Sequence, residues 1–387
     1  TIWNGTREDG SRAPDGEYLY HLEAIDRAGN AGESNELRFV LKTVETPLSV
    51  GTDIDAFSPN GDGARDQLRI LPQPEIIAGI EGYAIRVYTE AGREVFAETG
   101  RGRPPASYAW TGRRTDGSRA PDGRYYAEAE VTYDHGNQPT ARTGLVLLDT
   151  TTPRVSVTVP DKLFSPDGDG NKDTVLIRQT SSAENVWEGR ILDEDGEVVR
   201  TFVWQDEIDD FRWDGTNESG NPVPDGSYRY TVATTDVAGN RAEAEVAGIE
   251  IDTREVSVFV QVSAPAFSPN GDGTLDSLVF TVGSNIEDGI ASWELAVENV
   301  DGGTFRTFSG TDLERETEIE WDGRGDRGRV VEGSYTAIFS VTYERGTEAV
   351  ARTISPFVLD VTAPTARVTG SFDVFSPNGD GNKDRVT

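Results

Sequence analysis

Two motifs recur along this chain with the same irregular spacing, and that coincidence restricts the fold before composition is considered. Phe57-Ser58-Pro59-Asn60-Gly61-Asp62-Gly63 returns at Phe164, Phe267 and Phe375, at intervals of 107, 103 and 108 residues. A Trp-x-Gly step, leading through a Gly-rich stretch to Gly-x-Tyr, begins at Trp3, Trp110, Trp213 and Trp321, at the same three intervals. Motifs of unrelated composition that keep one period through the same insertions and deletions belong to one repeating unit, about 105 residues long. A third marker, Asp149-Thr150-Thr151-Thr152-Pro153, has counterparts at Asp252-Thr253 and Asp360 to Pro364, with a looser version at Lys42 to Pro47. Each follows an apolar run such as Leu145-Val146-Leu147-Leu148, and proline stops strand pairing, so the marker predicts a last strand and a linker.

The markers predict whole units at 47–152, 153–254 and 255–363. Residues 1–46 read as the C-terminal part of an earlier unit and 364–387 as the N-terminal part of a further one, so the expectation is a stretch of a longer array. A chain of 387 residues fits about three domains of ordinary size.

Within a unit, apolar and polar residues alternate as they do along half-buried strands. Tyr125, Ala127, Ala129, Val131 and Tyr133 face one way, with Tyr126, Glu128, Glu130 and Thr132 opposite; Tyr335, Ala337, Phe339, Val341 and Tyr343 repeat the inward pattern. A hairpin reads Ile85 to Tyr88, a turn through Thr89-Glu90-Ala91-Gly92, then Arg93 to Phe96, and Ile191 to Val199 turns likewise through Asp195-Gly196. Helical periodicity is absent. Roughly seven short strands in a unit of this length predict an all-β chain of tandem immunoglobulin-like β-sandwiches in an elongated array.

The acidic loop carries the chemistry. Calcium takes six to eight oxygens, gathered most readily from one tight loop with donors at alternate positions. Asn60, Asp62 and Asp66, with the Ala64 carbonyl between, supply oxygens at steps of two. Asp167, Asp169, Asn171 and Asp173 do the same, as do Asn270, Asp272, Thr274 and Asp276, and Asn378, Asp380, Asn382 and Asp384. The spacing is that of the front of an EF-hand or dockerin loop, without flanking helices and without a closing bidentate Glu. The competing reading is a bare turn in which the carboxylates cap backbone amides. The last Asp, kept three residues after the Gly in all four copies, favours the metal. The linker aspartates (Asp149, Asp252, Asp360) and the Asp-x-Ala-Gly-Asn turn at Asp26 to Asn30 and Asp236 to Asn240 either complete the shell, clamp neighbouring domains, or are plain turns. In the first whole unit that turn shortens to Asp134-His135-Gly136-Asn137, and the third unit has Tyr343-Glu344-Arg345-Gly346 in its place.

The recurring Trp residues read as plugs at the end of each core, the alternative being platforms for sugars, joined by Trp187 and Trp293 on an early strand. With 68 Asp and Glu against 36 Lys and Arg and a net charge of -32, nucleic acid and anionic membrane are poor partners and cations good ones. No run reaches the roughly 20 apolar residues of a membrane-spanning helix. Zero Cys excludes disulfides and thiol nucleophiles, and two unrelated histidines, His21 and His135, offer no repeated catalytic set.

The pattern Trp213-Asp214-Gly215 with Pro224-Asp225-Gly226-Ser227-Tyr228 resembles the Ig-like domain of the bacterial flagellar hook-capping protein and its relatives in exported proteins. The Phe-Ser-Pro-Asn-Gly-Asp-Gly opening is similar to that of gliding-motility-associated C-terminal domains. Those resemblances imply secreted or surface-exposed modules, extracellular or periplasmic, used for attachment, sorting or assembly. A single terminal sorting domain is the usual arrangement, whereas here the unit is internal and tandem, and Val331-Glu332-Gly333 replaces Pro-Asp-Gly in the third unit.

The expectation is a non-catalytic, calcium-binding stalk, scaffold or attachment region of a large exported bacterial protein. Its partners are calcium, neighbouring domains of the same chain, and another surface protein or polysaccharide. The alternatives are a carbohydrate-binding array and spacer domains of a large secreted enzyme.

Overall fold

A computed structural model describes residues 2–387; Thr1 lies outside the described residues. Strands run from Gly16 to Leu359 and no helix occurs among the described residues. In the N-terminal stretch β1 (Gly16–Tyr20) pairs antiparallel with β4 (Leu37–Leu41), and β2 (Glu23–Ile25) with β3 (Ala31–Glu33).

The first complete set of sheets follows. Strands β5 (Leu48–Thr52), β7 (Leu68–Pro74) and β10 (Tyr108–Trp110) form a three-stranded sheet in the order β10-β7-β5, where β6 (Ala56–Phe57) lies between β5 and β7 in sequence. The second sheet runs β6-β13-β11-β8-β9, built from β8 (Ile80–Thr89), β9 (Glu94–Arg101), β11 (Gly123–Tyr133) and β13 (Val146–Leu148), with β12 (Thr140–Arg142) also on β11. The predicted alternation is realised: Tyr125, Ala127, Ala129, Val131 and Tyr133 are all buried. The sheets enclose one core in which Leu68, Ile70 and Trp110 meet Ile85, Val87, Tyr125 and Leu148. Two sheets, antiparallel but for the β6–β13 pair, packed face to face over alternating inward residues make an immunoglobulin-like sandwich.

The strands from Val155 to Ile251 and from Val258 to Leu359 repeat the plan, each around its own core. In the first of these, one continuous strand, Arg241–Ile251, takes the place of β12 and β13, and the sheet register shifts at Tyr228/Arg229 opposite Gly248. Residues 360–387 contain no strand.

Three aromatic rings explain why the two motifs share a period. Trp110 packs with centroid separations of 5.5 Å to Phe57 and 5.3 Å to Tyr125. The same trio recurs as Phe164, Trp213 and Tyr228, and as Phe267, Trp321 and Tyr335. Each indole N–H donates three residues on, to the carbonyl of Arg113, Thr216 or Arg324. The motifs keep step because their aromatic rings form one plug, so Trp110, Trp213 and Trp321 are core residues and present no platform to a sugar. Trp187 is likewise fully buried.

Each plug tyrosine also donates its hydroxyl four residues back, to the carbonyl of Pro121, Pro224 or Val331. That bond needs a carbonyl and no particular side chain, which accounts for Val331 standing in for Pro. The acid that follows holds the linker: Asp122 accepts from the Thr150 and Thr151 hydroxyls, Asp225 from the backbone and hydroxyl of Thr253, and Glu332 from Val361 N and the Thr362 hydroxyl.

Candidate metal loops at the domain joints

Each of the first three acidic loops leaves the short strand that carries the plug phenylalanine, so the sandwich end fixes where the loop sits. In the first, Ser58 N donates to Arg65 O at 3.0 Å, closing an eight-residue turn that Gly61 and Gly63 permit at φ of 89° and 92°. Arg65 itself adopts φ of 50°, a left-handed conformation costing a non-glycine residue roughly 1 kcal/mol, and Lys172, Leu275 and Lys383 repeat it. Four independent copies with one strained position describe one designed geometry.

Inside the loop the predicted residues meet one another. Asp66 accepts from Gly61 N and Gly63 N, Asn60 Oδ1 from Asp62 N, and Asp62 Oδ1 from Ala64 N. Asn60 Nδ2 donates to Asp62 Oδ2 at 2.9 Å. Asp173, Asp276 and Asp384 bind the corresponding two glycine amides; Asn270 with Asp272 and Asn378 with Asp380 repeat the rest of the network, whereas Asp167 with Asp169 repeat only its backbone-amide bonds, Asp167 having no NH2 to donate. The Ala64 and Asn171 amides lock the carboxylate two residues earlier, as do those of Thr274 and Asn382. The amide of Ala64 first, and then the Asn60 side chain, hold the Asp62 carboxyl below the usual range; Gly271 and Gly273 do so for Asp276, and Asn382 with Asn378 for Asp380.

These bonds use one lone pair of each oxygen and leave others to point elsewhere. In the second loop Asp167, Asp169 and Asp173 offer oxygens lying within 4.8 Å of one another. The Ala64 and Asn171 carbonyls face outward, against the glycine of the next domain's turn: a Cβ built on Gly239 would lie 3.6 Å from Ala64 O, and one on Gly346 only 2.9 Å from Asn171 O.

The first two loops therefore sit at joints, which their spacing does not announce. At the first joint Asn240, nearly fully buried, accepts from Ser58 Oγ at 2.6 Å and Asn60 Nδ2 at 3.2 Å, and donates to Asp149 O at 3.0 Å. Arg65 donates to Val237 O across the same joint. At the second, Lys172 Nζ donates to Glu344 O at 2.6 Å and pairs with Asp161 at 2.7 Å, while Thr347 Oγ1 reaches Asp167. Arg345, 2% exposed, bonds Arg254 O and pairs with Asp252. Burial pushes the Asp252 carboxyl up, but hydrogen bonds from Arg254 and Arg345 outweigh it and hold the group at about 2. The positively charged residue at the strained loop position thus reaches into the following domain in both joints.

The other recurring acids behave as turn builders. Asp236 takes the amides of Ala238 and Asn240 and the Asn240 side chain, and Asp149 and Asp360 cap the amides of Thr151 and Thr362. Clamping of neighbouring domains is one of the readings open for the Asp236 to Asn240 turn, and Asn240 does clamp; Arg345 does so in the unit whose turn has lost that motif, where the sequence shows only the departure.

Comparison with known families bears out the resemblance of both motifs. Residues 163–237 match the FlgD Ig-like domain. Residues 52–148 match the CHU_C type IX secretion signal domain. Each match falls within one of the sandwiches. No curated protein matches the sequence. Among solved structures, a tetra-tandem repeat from the extending region of a large adhesion protein is 18% identical, covering 91% of this chain and 84% of that one at a TM-score of 0.34. Part of a 1.5-MDa bacterial ice-binding adhesin is 15% identical over 83% of this chain and 100% of that one, at 0.33, and the FN1–FN3 domains of chicken CNTN1 are 11% identical over 81% and 98%, at 0.26.

Proposed function

We propose that this chain is a non-catalytic structural region of an exported surface protein, an array of sandwiches whose acidic loops bind calcium where one domain meets the next. The type IX secretion signal match over residues 52–148 accords with export, and the tandem sandwiches suit a stalk or attachment module.

The observation that carries the metal reading is the gathering of Asp167, Asp169 and Asp173. Carboxylates about 4 Å apart repel by roughly 1 kcal/mol even in bulk water, and no Lys or Arg pairs with these three among the described residues. A divalent cation removes that repulsion; the last Asp, which the turn itself uses to take two glycine amides, keeps further lone pairs for the metal. Asn60, Asp62 and Asp66 and their counterparts supply the same donors with one carboxylate fewer, so the Asp167 loop holds calcium most tightly. Three side chains fall short of a six-oxygen shell, leaving water or the neighbouring turn to complete it.

Metal that binds only the folded chain adds about 2.7 kcal/mol when free calcium stands a hundredfold above Kd. Calorimetric scans should then show a higher Tm in calcium than in EDTA, reversed on readdition. Absence of any binding heat at millimolar calcium would remove the metal from this reading and leave the stalk.

A further inference from the structure

The two joints use the same positions with opposite hydrogen-bond polarity. In the first, the shared acceptor is Asn240 Oδ1, belonging to the following domain, and its two donors, Ser58 Oγ and Asn60 Nδ2, belong to the acidic loop. In the second, the shared acceptor is Asp167 Oδ2, belonging to the loop, and its donors are Ser165 Oγ at 3.1 Å and Thr347 Oγ1 at 3.3 Å, the latter from the following domain. Asn60 and Asp167 are equivalent by the repeat, and so are Asn240 and Thr347, each directly after the turn glycine. Loop and turn have changed together.

Asn240 has no freedom to compensate by turning over. Its Nδ2 is held by Asp236 Oδ2 at 2.8 Å and Asp149 O at 3.0 Å, and the residue is 1% exposed. A carboxylate in place of Asn60, itself exposed, would face the buried Asn240 carbonyl oxygen, acceptor against acceptor. An amide in place of Asp167 still offers an acceptor, but it removes the charge that strengthens both hydroxyl bonds and sets an NH2 group beside their donors. Ser58 and Ser165 are both fully buried, yet only Ser58 spends its hydroxyl on the neighbouring domain.

We propose that the first side chain of the acidic loop and the residue after the turn glycine of the next domain form a matched pair, so that each domain accepts only a neighbour of the right polarity. The recognised surface is a domain of the same array: a loop opening with Asn fits a turn ending in Asn, and a loop opening with Asp fits a turn ending in a hydroxyl. The inference rests on contacts between domains and stands whether or not the loops bind metal.

The chain contains no cysteine, so pairs of introduced cysteines can carry spin labels on either side of each joint of the full-length chain without background. Distance distributions would be recorded for Asn60→Asp, Asn240→Thr and the double variant, in calcium and in EDTA. Each single change should abolish the narrow distribution at the first joint, and the double change should restore it in both conditions. Ser58→Ala should loosen the first joint while Ser165→Ala leaves the second unchanged; these substitutions remove one hydroxyl each and keep the aromatic plug. A double variant as loose as the sum of the singles, or an Asn60→Asp chain as tight as the parent, would overturn the pairing. Circular dichroism on every variant separates a loosened joint from a lost fold.

Discussion

Asp276 reaches back across its loop to the amide of Gly271 at 2.7 Å, and its other oxygen takes the amide of Gly273 at 2.8 Å. One carboxylate thus ties off two consecutive turns. Asp276→Ala should release both amides, visible as faster hydrogen exchange at Gly271 and Gly273, and should remove calcium binding from that loop while the Asp167 loop keeps it. Those amides hold the Asp276 carboxyl below its ordinary range. The protection they give is therefore complete above that range and disappears as pH falls through the depressed value. Unchanged exchange in the variant would contradict this account of the loop.

Trp213 is fully buried in the core of the sandwich between Val155 and Ile251, and no residue of another unit enters that cluster. Trp213→Ala should destabilise this unit by about 4 kcal/mol. Calorimetry should show one transition moving to lower temperature, with the transitions of the flanking sandwiches nearly in place. A uniform fall of all transitions would mean that the units melt as one.

The second joint should be sensitive to acid. Asp252 is held at about 2 when folded against about 3.9 when unfolded, an upper bound of about 2.6 kcal/mol that solvent screening of a partly exposed carboxylate reduces. Because the folded value is the lower, this stabilisation is fully present above about pH 4 and fades as pH drops toward 2. Arg345→Met should raise the Asp252 pKa and move the acid loss upward in pH, followed through the Asp252 carboxyl resonance. An Asp252 titration unaltered by the substitution would show that Arg254 alone sets it.

Gly346 and Gly136 occupy equivalent turns at φ of 100° and 93°, so an alanine is strained to a similar degree in either. They differ in what surrounds them: Gly346 faces Asn171 O and Lys172 Cβ of the preceding domain, and Gly136 has open space. Gly346→Ala should loosen the second joint beyond the local strain that Gly136→Ala produces. Susceptibility of the 252–255 linker to protease should rise in the first variant and stay at the parental rate in the second.

The sandwich was legible because one face of each strand is buried and the other wet, which writes the period of two into Tyr125 to Tyr133 and Tyr335 to Tyr343. The loop side chains were legible because the loop is local, its donors only two residues apart. Three features were not. Glu128, on the outward face by alternation, is nearly buried beneath Arg142 and Arg86. Trp187 reads as a surface platform, yet its side of the strand packs into the core. The joint contacts link residues about 180 positions apart through single side chains, so the repeat shows the turn in step with the loop without showing which atoms meet.

In every sandwich the short strand bearing the plug phenylalanine runs parallel to the last strand: Ala56–Phe57 beside Leu147–Leu148, Leu163–Phe164 beside Glu250–Ile251, Ala266–Phe267 beside Val358–Leu359. Backbone bonds join each pair, among them Leu147 N to Asp55 O at 2.9 Å and Asp149 N to Phe57 O at 3.1 Å. One strand of the pair lies near the entry of the domain and the other at its exit. Tension applied to the two ends of the chain therefore pulls these strands lengthwise past each other, across their hydrogen bonds. Bonds loaded in that direction share the force and must fail together, whereas a hairpin opened from its end loses them singly. Each sandwich thus closes on a pair of strands that a pull along the chain would load in shear.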